Sequence, residues 1–438
     1  MKLIPIDSLG ECRFPSPLIE RGLRFYNDEG IARHVRDIHL SAGESPGEME
    51  CFELAGAREK LYFNPRETTV GIVTCGGICP GLNDVIRAIT FCAIEEYHVK
   101  RVLGFNYGYE GLVAKYYHQP LELTTDSTDE IHEKGGTILK TSRGPQPTLE
   151  IVQTLVHYGV DILFTIGGDG TQRGAAEIAA EIARRGLKTA IIGIPKTIDN
   201  DIQNVERTFG FQTAVETASQ IITSAHAEAK SVHNGVGLVK VMGRNSGWIA
   251  AAAALANSNV NFCLIPEVPV DFDGPNGFFH HLEKRLNQKD HAVIVVAEGT
   301  GQDLFAGGEQ HDKSGNKKLG DIGAWMRDEM TRHFSEKGDE INVKYFDPSY
   351  FIRSTPANAT DSQYCLGLGY NAVHAGMAGK TNLVISSHCD RLIHVPITMI
   401  SGGRLVEPNG WLWQMVLQTL NQSANMRNPG QVANSSEN

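Results

Sequence analysis

The sequence has no long hydrophobic run. Its most apolar stretches, Ile249–Ala256 and Ala292–Ala297, fall far short of the roughly 20 residues that a membrane-spanning helix needs. Met1–Ile6 lacks the apolar core of a secretory signal. None of the 8 cysteines forms a Cys-x-x-Cys pair, and in so long a chain they do not read as a disulfide framework. Positive charge is outnumbered: 40 Lys+Arg against 51 Asp+Glu leaves a net charge of −11. That balance argues against a general nucleic-acid or anionic-membrane binder. Short repeats are missing, as is low complexity outside the polar tail Asn421–Asn438. The expectation is a soluble, cytoplasmic protein with neither nucleic acid nor membrane as a partner.

What is present is a large apolar fraction. The chain has 438 residues, 41% hydrophobic and 21% charged, enough for a sizeable core and for two to four domains. Its 46 glycines point to many tight turns or close backbone approaches to ligands. Residues 1–68, with Pro15, Pro17 and the acidic stretch Gly43–Glu50, read as a partly ordered N-terminal extension. Beyond them short apolar segments alternate with helical patterns. Strands are expected at Val70–Thr74, Arg101–Phe105, Asp161–Ile166, Thr189–Ile194, Val236–Val241, Asn261–Ile265, Ala292–Ala297 and Asn382–Ile385. Helices are expected between them, among them Gly81–Tyr97, Thr171–Arg185, Gln212–Ala229 and Thr360–Ala378. Such alternation implies an α/β fold of two doubly wound, mostly parallel sheets covered by helices, with the active site in the cleft between them. The expected domains are 69–230 and 231–400, followed by a C-terminal helix and tail at 401–438, parts of which can return to the first domain.

Three motifs carry chemistry. Thr74-Cys-Gly-Gly-Ile-Cys-Pro-Gly-Leu-Asn83 follows the first strand, and Pro80 suits a helix start. Its glycines at 76, 77 and 81 let backbone amides approach an anion at the positive helix end. It fits neither the Walker pattern nor GxGxxG, so by itself it does not specify a nucleotide; the alternative is a glycine-rich turn with no ligand. Cys75 and Cys79 have no further Cys or His at ligand spacing and read as small turn residues. Gly167-Gly-Asp-Gly-Thr171 also ends a strand; Asp169 is placed to hold Mg²⁺ against phosphate oxygens. As a helix cap alone it would not need its glycine surround. Pro195-Lys-Thr-Ile-Asp-Asn-Asp201 sets two carboxylates, a hydroxyl and a lysine at a third strand end. One Asp can take a proton from an attacking hydroxyl while Lys196 offsets phosphate charge; the alternative is an Asx-rich surface turn. If the segment is extended, Thr197, Asp199 and Asp201 share one side. Arg244, Glu298 and Arg353 stand near further strand ends, where arginine suits bidentate phosphate recognition.

At these residues the sequence resembles the 6-phosphofructokinases, from about Thr69 to about Ser387. The motifs agree in order and spacing: the CGGxxPGLN turn, GGTxLxxSR at 135–143, GGDGT at 167–171, PKTIDND at 195–201, MGR at 242–244 and Glu298. The extension and the PKTIDND spelling look like the long-chain ATP-dependent branch, close to the pyrophosphate-dependent enzymes. The resemblance implies that 69–230 is the nucleotide-binding domain and 231–400 the sugar-phosphate domain. It places Gly76, Arg143, Gly144, Gly168, Asp169, Gly170 and Thr171 on ATP, with Asp169 on Mg²⁺. It makes Asp199 the base for the sugar 1-hydroxyl, with Thr197 and Ile198 beside it. It assigns fructose 6-phosphate to Met242, Gly243, Arg244, Glu298, Tyr350, Phe351, Ile352 and Arg353, with Arg353 at the 6-phosphate. It further implies in-line phosphoryl transfer with Arg143 near the moving group, and an allosterically controlled homo-oligomer, dimer or tetramer. Two positions depart from the short bacterial enzymes: Ile78 replaces an Asp, and Gly235 stands where they supply an Arg to a neighbouring subunit.

The nearest rival is a pyrophosphate-dependent phosphofructokinase. In that class an Asp stands at the place of Gly170 and a Lys at the place of Lys196, so Gly170 points to ATP and Lys196 to pyrophosphate. Gly170 decides for ATP, because an added carboxylate would oppose a nucleotide directly. NAD and lipid kinases share GGDGT but not PKTIDND or MGR. An inactive regulatory subunit would have lost Asp169 or Asp199, and both are present.

Overall fold

The structure, a computed structural model, describes residues 2–27, 31–33, 50–305 and 318–429. Most of the acidic stretch, 43–49, and the end of the polar tail, 430–438, lie outside the described residues. Among the described residues the chain forms two compact units, one from 2–210 and 353–403, the other from 211–352 and 404–429.

The first unit is built on a ten-stranded sheet. At its centre run the parallel strands Thr69–Thr74, Ile162–Gly167 and Ala190–Pro195, every residue of which is buried. Burial on both faces explains why these segments are continuously apolar and do not alternate. On one face Val70, Ile72, Ile162, Phe164 and Ile192 pack with the helices Leu82–Phe91 and Ala359–Met377. On the other, Val73, Leu163 and Ile191 meet Ala175 and Ile178 of the helix Asp169–Arg184. The register pairs Thr74 with Ile166 and Gly167 with Pro195. Three motif-bearing loops therefore leave adjacent strand ends.

Three expectations about boundaries change. Described segments of 1–68 are built into the first unit. Lys2–Leu3 pairs with Glu50–Leu54, which pairs antiparallel with Arg391–Pro396, while Asp7–Ser8 pairs with Lys380–Thr381. Residues 353–400, expected in the second domain, return to the first unit. The helix Ala359–Met377 lies so close on Leu82–Phe91 that a methyl group at Gly369 would stand 2.5 Å from the Ala88 Cβ. Leu383–His388 continues the central sheet, pairing with Ala190–Pro195.

The second unit holds an all-parallel, four-stranded sheet in the order Phe262–Leu264, His291–Ala297, Gly235–Val241, Asn342–Phe346. It also claims the helix Phe211–Lys230, placed by the sequence in the first domain, because that helix packs on Gly235–Val241. The C-terminal helix, Trp411–Leu420, packs on Trp248–Ala256. No described helix is long and apolar enough to cross a membrane.

Candidate active site

Gly76 has φ 84°, a left-handed conformation that favours glycine. A Cβ there would stand 3.1 Å from Lys196 Nζ, and one on Gly77 would stand 3.4 Å from Arg143 Nη2. Two cations thus face the same pair of glycines. Lys196 Nζ donates to Gly77 O at 2.6 Å, and Thr141 Oγ1 to Gly76 O at 2.6 Å. The Gly76 amide in turn donates to Ser142 O at 3.0 Å, so the 141–143 segment is laced to the turn. Burial pushes the Lys196 ammonium pKa down, with the nearby Arg143 charge acting in the same direction. The negative charge of a phosphate settling here would offset both effects.

The next loop meets the helix Asp169–Arg184. That helix starts at Asp169 with Gly168 as its N-cap, two residues earlier than expected, which puts Asp169 and Gly170 in its first turn. Backbone amides at such an end are anion donors. A Cβ at Gly170 would find nothing nearer than Arg173 Nη2, at 3.9 Å, so the space above it is open. Gln172, fully buried, donates from Nε2 to Thr165 O and Gly167 O at 3.1 Å and to Ile194 O at 3.3 Å. It clamps the ends of two strands, and it belongs to no motif. Its only trace in the sequence is an amide at a core-facing helical position.

The third loop brings Thr197, Asp199 and Asp201 together by turning back, not by extension, because Asn200 takes a left-handed φ of 55°. Thr197 Oγ1 donates to Asp201 Oδ1 at 2.8 Å and accepts from the Asp199 amide at 3.2 Å. Asn200 Oδ1 holds the turn by accepting from the Thr208 amide at 2.9 Å. Burial raises the Asp201 pKa; the Thr197 hydrogen bond opposes this and the Asp169 charge adds to it. Asp169 and Asp201 therefore sense one another. Ile198 is partly buried and packs against the apolar core.

In the second unit Met242-Gly243-Arg244 and Glu298 follow neighbouring strands whose ends pair Val241 with Ala297. The Glu298 amide donates to Val241 O at 2.9 Å and the Gly299 amide to Gly243 O at 3.0 Å. A Cβ on Gly299 would lie 1.9 Å from Arg244 O, so only glycine permits this approach. Met242 is buried; Arg244 and Glu298 are partly exposed. The short helix Ser349–Ser354 presents Tyr350, 80% exposed, and Phe351, while Ile352 is 0% exposed. The buried Ile352 side chain anchors this helix. Arg353 lies in the last turn, just past the point where the two units divide.

The phosphofructokinase family model matches residues 69–376. The chain belongs to the phosphofructokinase family. It is 47% identical to the ATP-dependent 6-phosphofructokinase of Borreliella burgdorferi over 97% of each chain. It is 50% identical to that of Trypanosoma cruzi, over 88% of this chain and 79% of the relative. Among solved structures, the pyrophosphate-dependent phosphofructokinase of Marinobacter aquaeolei superposes with a TM-score of 0.67 at 18% identity, covering 81% of this chain and 91% of that one. The T-state phosphofructokinase of Pichia pastoris gives 0.63 at 23%, covering 81% and 36%. At such identities these two speak for the fold.

The phosphofructokinase motifs thus divide by unit: the glycine turn, Arg143, the 167–171 loop and the 195–201 turn on the first, and Met242–Arg244, Glu298 and Tyr350 on the second. Gly235 is a packed backbone position where a Cβ would stand 1.9 Å from Ala229 O, and Ile78 packs on the core. Both positions have a packing role here.

Proposed function

We propose that the chain transfers the terminal phosphoryl group of Mg-ATP to the 1-hydroxyl of fructose 6-phosphate, giving fructose 1,6-bisphosphate and ADP in glycolysis. The observation that carries this reading is the facing of Arg143 and Lys196 on the Gly76–Gly77 backbone, with the Thr197–Asp201 turn leaving the same group of strand ends. Gly76, Arg143, Gly144, Gly168, Asp169, Gly170 and Thr171 take the nucleotide phosphates. Arg143 and Lys196 hold the moving group while charge spreads over its oxygens. Asp199 accepts the hydroxyl proton, and Thr197 fixes the turn that aims it. Met242, Gly243, Arg244, Glu298, Tyr350, Phe351 and Arg353 seat the sugar phosphate, with Arg353 at the 6-phosphate.

Among the described residues no three His, Cys, Asp or Glu side chains group as a resident metal site. Asp169 nevertheless lies close enough to Asp201 to raise its pKa, an arrangement that a divalent cation shared with donor phosphates would relieve. Asp169 is the residue to hold Mg²⁺, with Asp201 in support; the bound ion would neutralise phosphate charge. The same reading makes the protein a cytoplasmic homo-oligomer, dimer or tetramer.

Lys196 favours a second reading, pyrophosphate as donor. The open space over Gly170 favours ATP. A coupled assay on fructose 6-phosphate with each donor separates them: fast turnover with ATP and little with pyrophosphate is expected. Equal turnover on both would overturn the donor assignment.

A further inference from the structure

Lys240 sits in the strand Gly235–Val241, two residues before Met242, and belongs to none of the motifs. A lysine in a parallel strand covered on both faces needs a reason, and Lys240 is only 9% exposed. Its Nζ stands 2.9 Å from Asp347 Oδ2 and 3.1 Å from Asp321 Oδ1. Tyr345 closes the group: its ring centre lies 5.9 Å from Nζ and its hydroxyl donates to Asp321 Oδ1 at 2.9 Å.

Each carboxylate also holds a further element. Asp347 Oδ1 accepts from the Ser349 amide at 3.2 Å and from Ser349 Oγ at 2.6 Å, which fixes the start of the helix carrying Tyr350. Asp321 caps the helix Ile322–Glu336, accepting from the Ala324 amide at 3.1 Å. The preceding Gly320 is gripped by Gln302, whose Oε1 accepts from the Gly320 amide at 2.9 Å and whose Nε2 donates to Gly320 O at 3.1 Å. That same Nε2 donates to Glu298 O at 2.7 Å. A continuous polar chain thus runs from Glu298 through Gln302, Gly320, Asp321 and Lys240 to Asp347 and the Tyr350 helix.

We propose that Lys240 is a positioning residue for the sugar-phosphate site. It pins the Tyr350 helix to the strand that ends in Met242-Gly243-Arg244, and the Gln302 bridge holds Glu298 in the same frame. Three segments far apart in sequence are thereby kept in one register. Both aspartates are partly exposed, so without Lys240 they can rehydrate and separate. The cost then falls on the placement of the helix and not on the folding of the unit. This inference rests on reading Met242, Arg244, Glu298 and Tyr350 as sugar-phosphate residues.

Steady-state kinetics on the full-length enzyme tests it. Lys240→Met should raise the KM for fructose 6-phosphate about tenfold or more, since small misplacements of a seat are costly. The KM for ATP, and kcat at saturating sugar, should stay within about twofold, the pattern of lost positioning for one substrate. Asp347→Asn should act in the same direction, and Lys240→Arg should recover most of the affinity. A Lys240→Met enzyme with the parent's sugar KM overturns the proposal, as does one in which the ATP KM rises equally. If Lys240→Met does not fold, Asp347→Asn carries the same test with the same two outcomes. Arg244→Ala separates the two levels of failure. A normal sugar KM in Arg244→Ala removes the underlying site reading; a raised one beside a normal Lys240→Met removes only Lys240.

Discussion

At Gly170 the absence of a side chain has a chemical consequence. The backbone there is helical and a Cβ would meet nothing nearer than Arg173 Nη2, at 3.9 Å, so an aspartate fits sterically while adding a negative charge where the proposed function puts the donor phosphates. Gly170→Asp should therefore leave the thermal midpoint and the sugar KM close to the parent values and raise the KM for ATP strongly. An unchanged ATP KM would separate position 170 from donor choice. Arg244 is proposed to hold the other substrate: on that reading, removing one charge-assisted phosphate contact costs on the order of 1.5–3 kcal/mol, read as a raised KM for fructose 6-phosphate. Arg353→Ala should behave likewise, and an unaltered sugar KM would take Arg353 out of the site. Residues of this kind were legible because glycines, carboxylates and arginines cluster at strand ends in recognisable strings. Lys240 and Gln172 were not. A lone charged or amide side chain in an apolar segment looks the same whether it faces solvent or a buried partner.

Among elements, the central strands were legible because burial on both faces demands unbroken apolar runs, as in Thr69–Thr74. The strand Arg391–Pro396 gives a weaker signal: it pairs antiparallel with both of its neighbours, and its Ile393 and Val395 alternate too briefly to stand out. Two-residue strands such as Lys2–Leu3 have no periodicity at all. The helix Ala359–Met377 offers a test of packing by pH. Its His374 Nδ1 lies 2.7 Å from the buried Tyr97 hydroxyl. Burial, aided by the charges of Arg58 and His394, pushes the His374 pKa down to about 4. Since the folded value lies below the unfolded one of roughly 6.5, the unfolded chain binds the extra proton. Stability is complete above about pH 6.5 and is lost as pH falls towards 4, by roughly 3 kcal/mol from this group. Glu53 titrates lower. Burial raises its pKa, but the hydrogen bond with His394 and the charges of Lys380 and Arg58 outweigh that and hold it at about 2. Its contribution is present above the usual carboxylate value and is lost only as pH falls towards 2. Thermal midpoints measured from pH 7 to 4 should fall less steeply for His374→Gln than for the parent; parallel profiles would contradict the assignment.

Over the whole chain, local pattern showed that the fold is α/β with parallel sheets but not which segments share a sheet. Leu383 pairs with Ile192 across nearly two hundred residues, one of several long-range contacts that bring 353–403 back to the first unit. The catalytic assignment depends on this scale too, since Thr74, Gly167 and Pro195 are neighbours only through sheet register. The resulting claim is that the turn after Pro195 delivers a proton acceptor, Asp199, to a phosphate site framed by Arg143 and Lys196. Asp199→Asn keeps the shape of that turn and removes the acceptor. The decisive measurement is kcat of Asp199→Asn with ATP and fructose 6-phosphate, on a preparation whose thermal midpoint and sugar binding are also recorded. A positioned base contributes roughly 10²–10⁴-fold, so kcat should fall by about that factor while midpoint and sugar binding hold. A near-normal kcat with a lowered midpoint would contradict the account and leave Asp199 as a turn-forming residue only.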